Sequence, residues 1–402
     1  MRTLVEHGQP GFAPSTSGRY FDHVTGGSHP IGLAADWLTS VWGQGGASHE
    51  TSLLTTVVEE VCAKWLTELF GLRPNTSVGV TSGYATANLT ALAAARHHVL
   101  AQAGRDVEAD GPVGAPEVRV LVSEGCHITV QWALGLVGLA GGIRPVPCDD
   151  QGRMRVDALA ALLEKSNRPL IVCGQVGHMD TGASDDVARV AMLTHRHGGW
   201  LHLDASYGMW AAASPRHHPH ALRRADSWAT DAHKWLNVPY DCGIVLCAHL
   251  SAYQAALRGQ ADYPFDYPPE RSRRARPLVL WATLRHLGVE GVIDLVDRSC
   301  RHARGIARRL ADEPGITVLN EVVLNQVLVR FGDSDEHTDE VIEALHDSGN
   351  AFAGGTTWRG QRALRVSVCN WQTTEADCLT LTDTLITAHR VRSRALAGQT
   401  FG

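Results

Sequence analysis

The densest group of reactive side chains in the sequence is the run Asp226-Ser-Trp-Ala-Thr-Asp-Ala-His-Lys234-Trp-Leu-Asn-Val-Pro-Tyr-Asp241-Cys-Gly. Lys234 follows an apolar, strand-like run and lies between His233 and Trp235. A lysine amine becomes a useful nucleophile when a partly desolvated pocket or a neighbouring cation lowers its pKa, and this setting offers both. Upstream, Trp200-Leu-His-Leu-Asp204-Ala-Ser-Tyr-Gly208 ends an apolar strand on Asp204. That places a carboxylate at the strand end where open α/β sheets bind ligands, suited to keep a pyridine nitrogen protonated. In Val80-Thr-Ser-Gly83-Tyr84-Ala85 a glycine turn opens a helix, and the free amides and dipole of such a helix start form an anion cradle. Finally, Val122-Ser-Glu-Gly-Cys-His127 sets an imidazole at a strand exit, where it can lie against a flat ring and handle protons near neutral pH.

Positioning these groups requires a sheet with helices on both faces. Strand-like runs at 118–122, 143–147, 169–176, 200–203, 227–230 and 242–247 alternate with helical patterns at about 85–103, 127–140, 154–165 and 185–198. Alternation of this kind predicts an α/β fold with a mostly parallel sheet. Residues 51–70 carry helical periodicity ending at Gly71, and residues 1–50, rich in Gly, Ser, His and Pro, read as an irregular arm. After a Pro-rich break at 262–270 come helices at about 277–288 and 291–311. Strands at 316–320, 326–331 and 363–369 and helices at 336–348 and 373–391 then form a smaller C-terminal α+β domain. The expected division is an arm over 1–50, a large domain over 51–290 and a small domain over 291–402.

The chain has 402 residues, 44% of them hydrophobic and 19% charged, which fits a soluble protein of two packed domains. A net charge of −6 leaves no basic footprint for nucleic acid or a membrane surface. The nine cysteines are scattered singly, and the N-terminal residues lack the apolar core of a signal peptide, so a reduced, cytoplasmic setting is expected. The run His217-His218-Pro-His220 has no carboxylate or cysteine nearby in the sequence. It reads as surface, so no metal is expected.

Together these motifs resemble the group II pyridoxal 5′-phosphate (PLP) decarboxylases of aromatic amino acids, glutamate and diaminobutyrate, and among them the actinobacterial-type branch. The resemblance runs from Phe21-Asp-His-Val-Thr-Gly-Gly to Leu364-Arg-Val-Ser-Val-Cys-Asn-Trp-Gln-Thr-Thr-Glu. It implies the aminotransferase-like PLP fold type I and a carboxy-lyase acting on an amino acid through an external aldimine and a quinonoid carbanion. By the same resemblance Lys234 carries the cofactor, Asp204 meets the pyridinium nitrogen and His127 stacks on the ring. His233 lies beside the phosphate or the Schiff base, and Gly83, Tyr84 and Ala85 give amides to the phosphate. Ser206 faces the other side of the ring, and His178 stands near the cofactor where the family has Asn or Thr. A homodimer with the site at its interface is also implied.

Departures from the family pattern concern the outcome of the reaction rather than the cofactor. Ala85 replaces a common hydroxyl residue, Trp132 a common lysine, and the segment from His249 to Glu270 is short. In the family that segment carries a tyrosine that reprotonates the carbanion. Tyr263 is the expected counterpart, with Tyr253 and Tyr267 as competitors. Alternative outcomes are oxidative decarboxylation–deamination to an aldehyde, aminotransferase-type chemistry, or a PLP-binding paralogue without turnover. Arg365 falls where related aminotransferases hold a substrate carboxylate.

Overall fold

The computed structural model describes residues 1–8, 11–46, 52–164, 168–257, 270 and 272–399, with side chains to residue 395. Its large sheet has seven strands, β1 (Ser77–Thr81), β2 (Arg119–Ser123), β3 (Ile143–Val146), β4 (Leu170–Gln175), β5 (Trp200–Asp204), β6 (Ser227–Asp231) and β7 (Gly243–Cys247), in the order β1-β7-β6-β5-β4-β2-β3. Strands β2 to β6 pair in parallel, whereas β7 runs antiparallel to both β6 and β1. The carboxyl ends of the parallel strands therefore share one edge, which collects Ser123, Gln175, Asp204 and Asp231, all buried.

Each strand alternates its side chains between two cores. Leu121, Val172, Leu201, Trp228 and Ile244 face one core. Val120, Val122, Ile171, Cys173, Ala229 and Val245 face the other. Helix α4 (Tyr84–Gln102) covers the second face, and its fully buried Ala87, Ala91, Ala94 and Ala95 let it lie close on the sheet. Gly243 needs to be glycine here, because a Cβ would come within 2.3 Å of the Gly83 carbonyl carbon. A buried polar chain reinforces the contact. Trp200 Nε1 donates to Ser227 Oγ, Ser227 bonds His202 Nδ1, and His202 Nε2 reaches Asn88 Oδ1, each at 2.9 Å. Burial pulls the His202 pKa down to about 3, which keeps the imidazole neutral.

The remaining helices, in chain order, are α1 (Arg2–Gly8), α2 (Pro30–Trp42), α3 (Leu53–Leu69), α5 (Val107–Asp110), α6 (Ile128–Leu136), α7 (Val156–Leu163), α8 (Val187–Arg196), α9 (Leu250–Leu257) and α10 (Arg276–Ala311). Gly288 breaks α10, matching the two expected helices. The smaller antiparallel sheet, ordered β10-β11-β9-β8, uses β8 (Ile316–Val318), β9 (Gln326–Phe331), β10 (Gly354–Trp358) and β11 (Gln361–Ser367). Helices α11 (Asp335–Ser348) and α12 (Glu375–Gln399) complete that C-terminal α+β unit.

Three features depart from expectation. The N-terminal stretch is not wholly irregular: Pro30 starts the 13-residue helix α2 at its first position, where a missing N–H costs nothing. Strands β1 and β10 appear beyond those expected. His217, expected at the surface, has a side chain only 9% exposed and lies 3.8 Å from Asp297. All nine cysteines are free thiols, and seven of them are buried. Among the described residues no helix is long and apolar enough to cross a membrane.

Asn237 joins the arm, the lysine turn and the C-terminal unit. It is fully buried at a φ of 60°, a left-handed conformation that asparagine tolerates better than most residues. Its Oδ1 accepts from the amides of Gly27 at 2.6 Å and Trp371 at 3.0 Å, and its Nδ2 donates to the carbonyls of Trp235 and Cys369. A second tie lies at the opposite edge of the sheet, where Asp226 binds His195 at 2.9 Å and His249 at 2.8 Å. Despite burial, these imidazoles and the Leu201 amide bring the Asp226 pKa down to about 2.

Two outcomes follow for stability. Asn237→Ala leaves buried amides and carbonyls unpaired and should cost about 2–4 kcal/mol in denaturant unfolding; an unchanged midpoint would contradict the joining role. The depressed Asp226 pKa contributes roughly 2 kcal/mol, fully present above its ordinary value and lost as pH falls through about 2. His195 is shifted upward, chiefly by its bond to Asp226, so its share is present below its ordinary value and lost as pH rises through the folded one. The stability gap between the wild type and Asp226→Asn should therefore close on acidification toward pH 2; a gap independent of pH would contradict this.

Candidate active site

The strand ends and the helix starts bring the reactive groups named from the sequence together. Asp204, the last residue of β5, is buried and accepts from the Ser206 amide at 3.4 Å. The Ser206 carbonyl in turn accepts from the Asp231 amide at 2.7 Å and from Thr230 Oγ1 at 3.0 Å, which locks the ends of β5 and β6 together. Lys234 follows β6 in a tight turn, with its side chain 20% exposed and Nζ 3.5 Å from Asp231 Oδ2. His233 Nε2 lies 3.6 Å from the other Asp231 oxygen, and its Nδ1 is 3.1 Å from both the amide and the carbonyl of Cys242. Burial raises the pKa of Asp231, while Lys234 and His233 oppose that shift. Gly26 crosses directly over the lysine turn; a Cβ there would stand 1.9 Å from the Lys234 carbonyl oxygen.

His127 caps α6. Its Nδ1 accepts from the Thr129 amide at 3.3 Å and lies 2.8 Å from Thr129 Oγ1, so the neutral ring carries its proton on Nε2. Burial lowers its pKa, with Asp204 pulling the other way, so the ring is neutral at pH 7. His178 is buried against Gly125 and Gly152, accepts from the Asp180 amide at Nδ1, and meets Trp358 edge-on at 5.3 Å. Burial also pulls its pKa down.

Gly83 caps α4, and the amides of Tyr84 and Ala85 begin the helix. The Tyr84 amide donates to Asp231. The Tyr84 ring turns inward, edge-on to His127 at 6.3 Å, with Lys234 Nζ 5.3 Å from its centroid. Its hydroxyl is buried between Asp204 and Asn88 and interacts with both.

Sequence reasoning passed over several groups that complete the pocket wall. Asp231 stands in the lysine motif itself, yet only the turn brings its carboxylate back to Nζ. Glu270 accepts from the Ser82 amide at 2.9 Å and from its hydroxyl, so a carboxylate lies at the start of α4. Arg365 is not free to hold a carboxylate from outside, because Asp22 at 3.7 Å and Asp180 at 3.6 Å flank its guanidinium. The basic run after the Pro-rich break is tied inward through Arg273–Glu59 at 2.7 Å, Arg274–Asp36 at 2.8 Å and Arg276–Asp241 at 2.7 Å. Tyr253 is fully buried in α9, whereas Tyr263 and Tyr267 lie outside the described residues. His29 packs between His286 and Trp371, at 4.9 Å from each.

The chain is similar to known proteins over most of its length. The chain is 27% identical to the aromatic-L-amino-acid decarboxylase of Bacillus atrophaeus over 391 residues, covering 89% of this chain and 78% of that protein. It is 29% identical to the L-2,4-diaminobutyrate decarboxylase of Rhizobium meliloti over 368 residues, covering 85% and 72%. A crystal structure of Oryza sativa TDC with PLP and tryptamine superposes with a TM-score of 0.90 at 21% identity, covering 98% of this chain and 87% of that one. The model of the pyridoxal-dependent decarboxylase conserved domain matches residues 8–331, and the chain belongs to that family.

Proposed function

We propose that this chain is a PLP-dependent amino acid decarboxylase whose cofactor is carried on Lys234. The observation that carries the reading is the lysine itself: a mostly buried amine held 3.5 Å from a buried carboxylate, at the strand edge that Asp204 closes. The surroundings fit a polar, phosphorylated ring. Among the described residues Gln175 Nε2 is buried without a hydrogen-bond partner, and Asp231 Oδ1 has the His233 imidazole no nearer than 3.6 Å. Buried polar atoms left unpaired cost free energy that a polar ligand can return.

In this reading Lys234 binds the aldehyde carbon of the cofactor, Asp204 faces its ring nitrogen, and His127 lies against the ring. Gly83 and Ala85 offer amides to the phosphate, the Tyr84 amide between them being turned to Asp231, with His233 beside them and with Ser206 and His178 lining the remaining wall. When bound, PLP supplies an electron sink for the pair left on the α-carbon as carbon dioxide departs. The residues supply the rest. Asp204 keeps a proton on the atom it faces, Asp231 holds the Lys234 amine in place, and neutral His127 presents a proton at Nε2. Burial of the site strengthens these charges by excluding water.

The assembly we propose is a homodimer with the site near its interface, in the cytoplasm. Support comes from three helices around the site. Trp37, Val41 and Trp42 of α2, Leu53 and Leu54 of α3, and Ile128, Trp132 and Leu136 of α6 are all more than half exposed. Exposed apolar residues in such number mark an interaction surface, and α6 begins at His127. The free thiols support a reducing compartment.

Two measurements test these readings. With PLP added, the wild type should show a visible absorption band that borohydride abolishes and that Lys234→Ala lacks, and it should release carbon dioxide from at least one member of a panel of aromatic and basic amino acids. Absence of the band at saturating PLP would remove the lysine assignment. Sedimentation velocity should show a dimer that Trp132→Asp combined with Val41→Asp weakens by at least about tenfold in affinity, roughly 1.4 kcal/mol or more; a monomer at micromolar concentration would rule the assembly out.

A further inference from the structure

The three side chains assigned to the cofactor ring share one neighbour. Lys234, which must reach the carbon beside the ring, holds its Nζ 5.3 Å from the centroid of Tyr84. His127, which must lie against the ring face, meets the same phenol edge-on at 6.3 Å. Asp204, which must face the ring nitrogen, lies beside the phenol hydroxyl. One phenol ring, packed at the edge of the core beneath α4, thus adjoins all three groups.

We propose that the Tyr84 phenol and the cofactor ring compete for this space, so that the side chain at position 84 sets how readily the chain loads PLP. This rests on the site assignment given above and extends it to a residue read from the sequence only for its backbone amide. The physical terms balance closely. The ring gains burial, at 6% exposure, and the attraction of the Lys234 ammonium for its π face. Against this, the phenol occupies the neighbourhood of the three groups a cofactor ring needs, and its hydroxyl engages Asp204, the residue assigned to the ring nitrogen. The proximity of Asp204 and burial both hold the phenol in its protonated form, so ionisation gives no relief. The inward rotamer is therefore held by packing, by a cation and by its contact with Asp204, and an incoming ring must displace it from all three.

The cost to the cofactor follows from populations. When a side chain fills a site for most of the time, the apparent affinity of a ligand falls by the fraction of the chain in which the site is open. A phenol that is inward about ten times as often as outward weakens PLP binding about tenfold. The backbone amide of Tyr84 is unchanged by substitution, so shortening the side chain clears the ring space and leaves the amide cradle in place.

The test uses the full chain stripped of cofactor with hydroxylamine, then titrated with PLP while the visible band of the lysine-bound cofactor is followed. Tyr84→Ala should bind PLP about tenfold more tightly, or load about tenfold faster, than the wild type. Tyr84→Phe, which keeps the ring and loses only the hydroxyl, should stay within about twofold of the wild type. Tyr84→Leu preserves apolar volume for folding and should fall between them. Circular dichroism melts identify any variant that has lost its fold. Equal loading of the wild type, Tyr84→Ala and Tyr84→Leu, or weaker binding by the shortened variants, would overturn the competition while leaving the Lys234 assignment intact. Tyr84→Phe loading as fast as Tyr84→Ala would overturn it too, by placing the obstruction in the hydroxyl. No band in any variant would instead overturn the lysine assignment, and the competition with it.

Discussion

Everything around the lysine depends on one buried asparagine in a left-handed conformation. Asn237 turns the chain back immediately after the lysine turn, and its amide answers backbone groups from the arm, the turn and the start of the C-terminal helix region at once. No apolar residue could do this, because each of those backbone groups is shut away from water and needs a partner. The geometry of Lys234 is therefore set by a residue three positions away that makes none of the chemistry itself. Gly26, pressed onto the Lys234 carbonyl, can approach so closely only because Asn237 holds the neighbouring Gly27.

Charge in the pocket is arranged in closed accounts. Arg365 would be an unmatched buried positive charge if Asp22 and Asp180 did not flank it, and Thr356 donates to Asp180 in turn. Lys234 and His233 share Asp231, and Glu270 takes the Ser82 donors. Gln175 Nε2, paired in register with Asp204, and Arg365 Nε remain without a hydrogen-bond partner among the described residues. A site whose cations already stand beside carboxylates selects for a ligand by hydrogen bonding more than by net charge.

The sequence made the strand edge legible because its cues are local. An apolar run ending on Asp204, the strand just before the lysine turn, and a glycine ahead of the α4 periodicity each fit within a window of about ten residues. The arm concealed its helix because Gly, Ser, His and Pro around it diluted the pattern, although Pro30 marks its start. Strand β10 was missed since Gly354 and Gly355 open it and only Thr356, Thr357 and Trp358 carry strand character. The partners of Arg365, at positions 22 and 180, come from segments with no sequence proximity to it, and a carboxylate at 270 gives no local sign that it returns to Ser82. For Tyr84 the helix start identified the amide, but the direction of a side chain at that position depends on what the sheet places beneath it.

The pairing of the arm with the C-terminal unit has a consequence for how the protein is made. The Phe21 carbonyl accepts from Ser367, and Thr373 bonds the Gly18 carbonyl across a separation of 355 positions. Synthesis at ordinary rates leaves that arm waiting roughly 20–70 s for its partner strand. During that interval Phe21, which is fully buried in the finished molecule, has no C-terminal unit to pack against. The chain is thus most dependent on chaperones early in translation, and the lysine turn can take its final shape only after the last strand has left the ribosome.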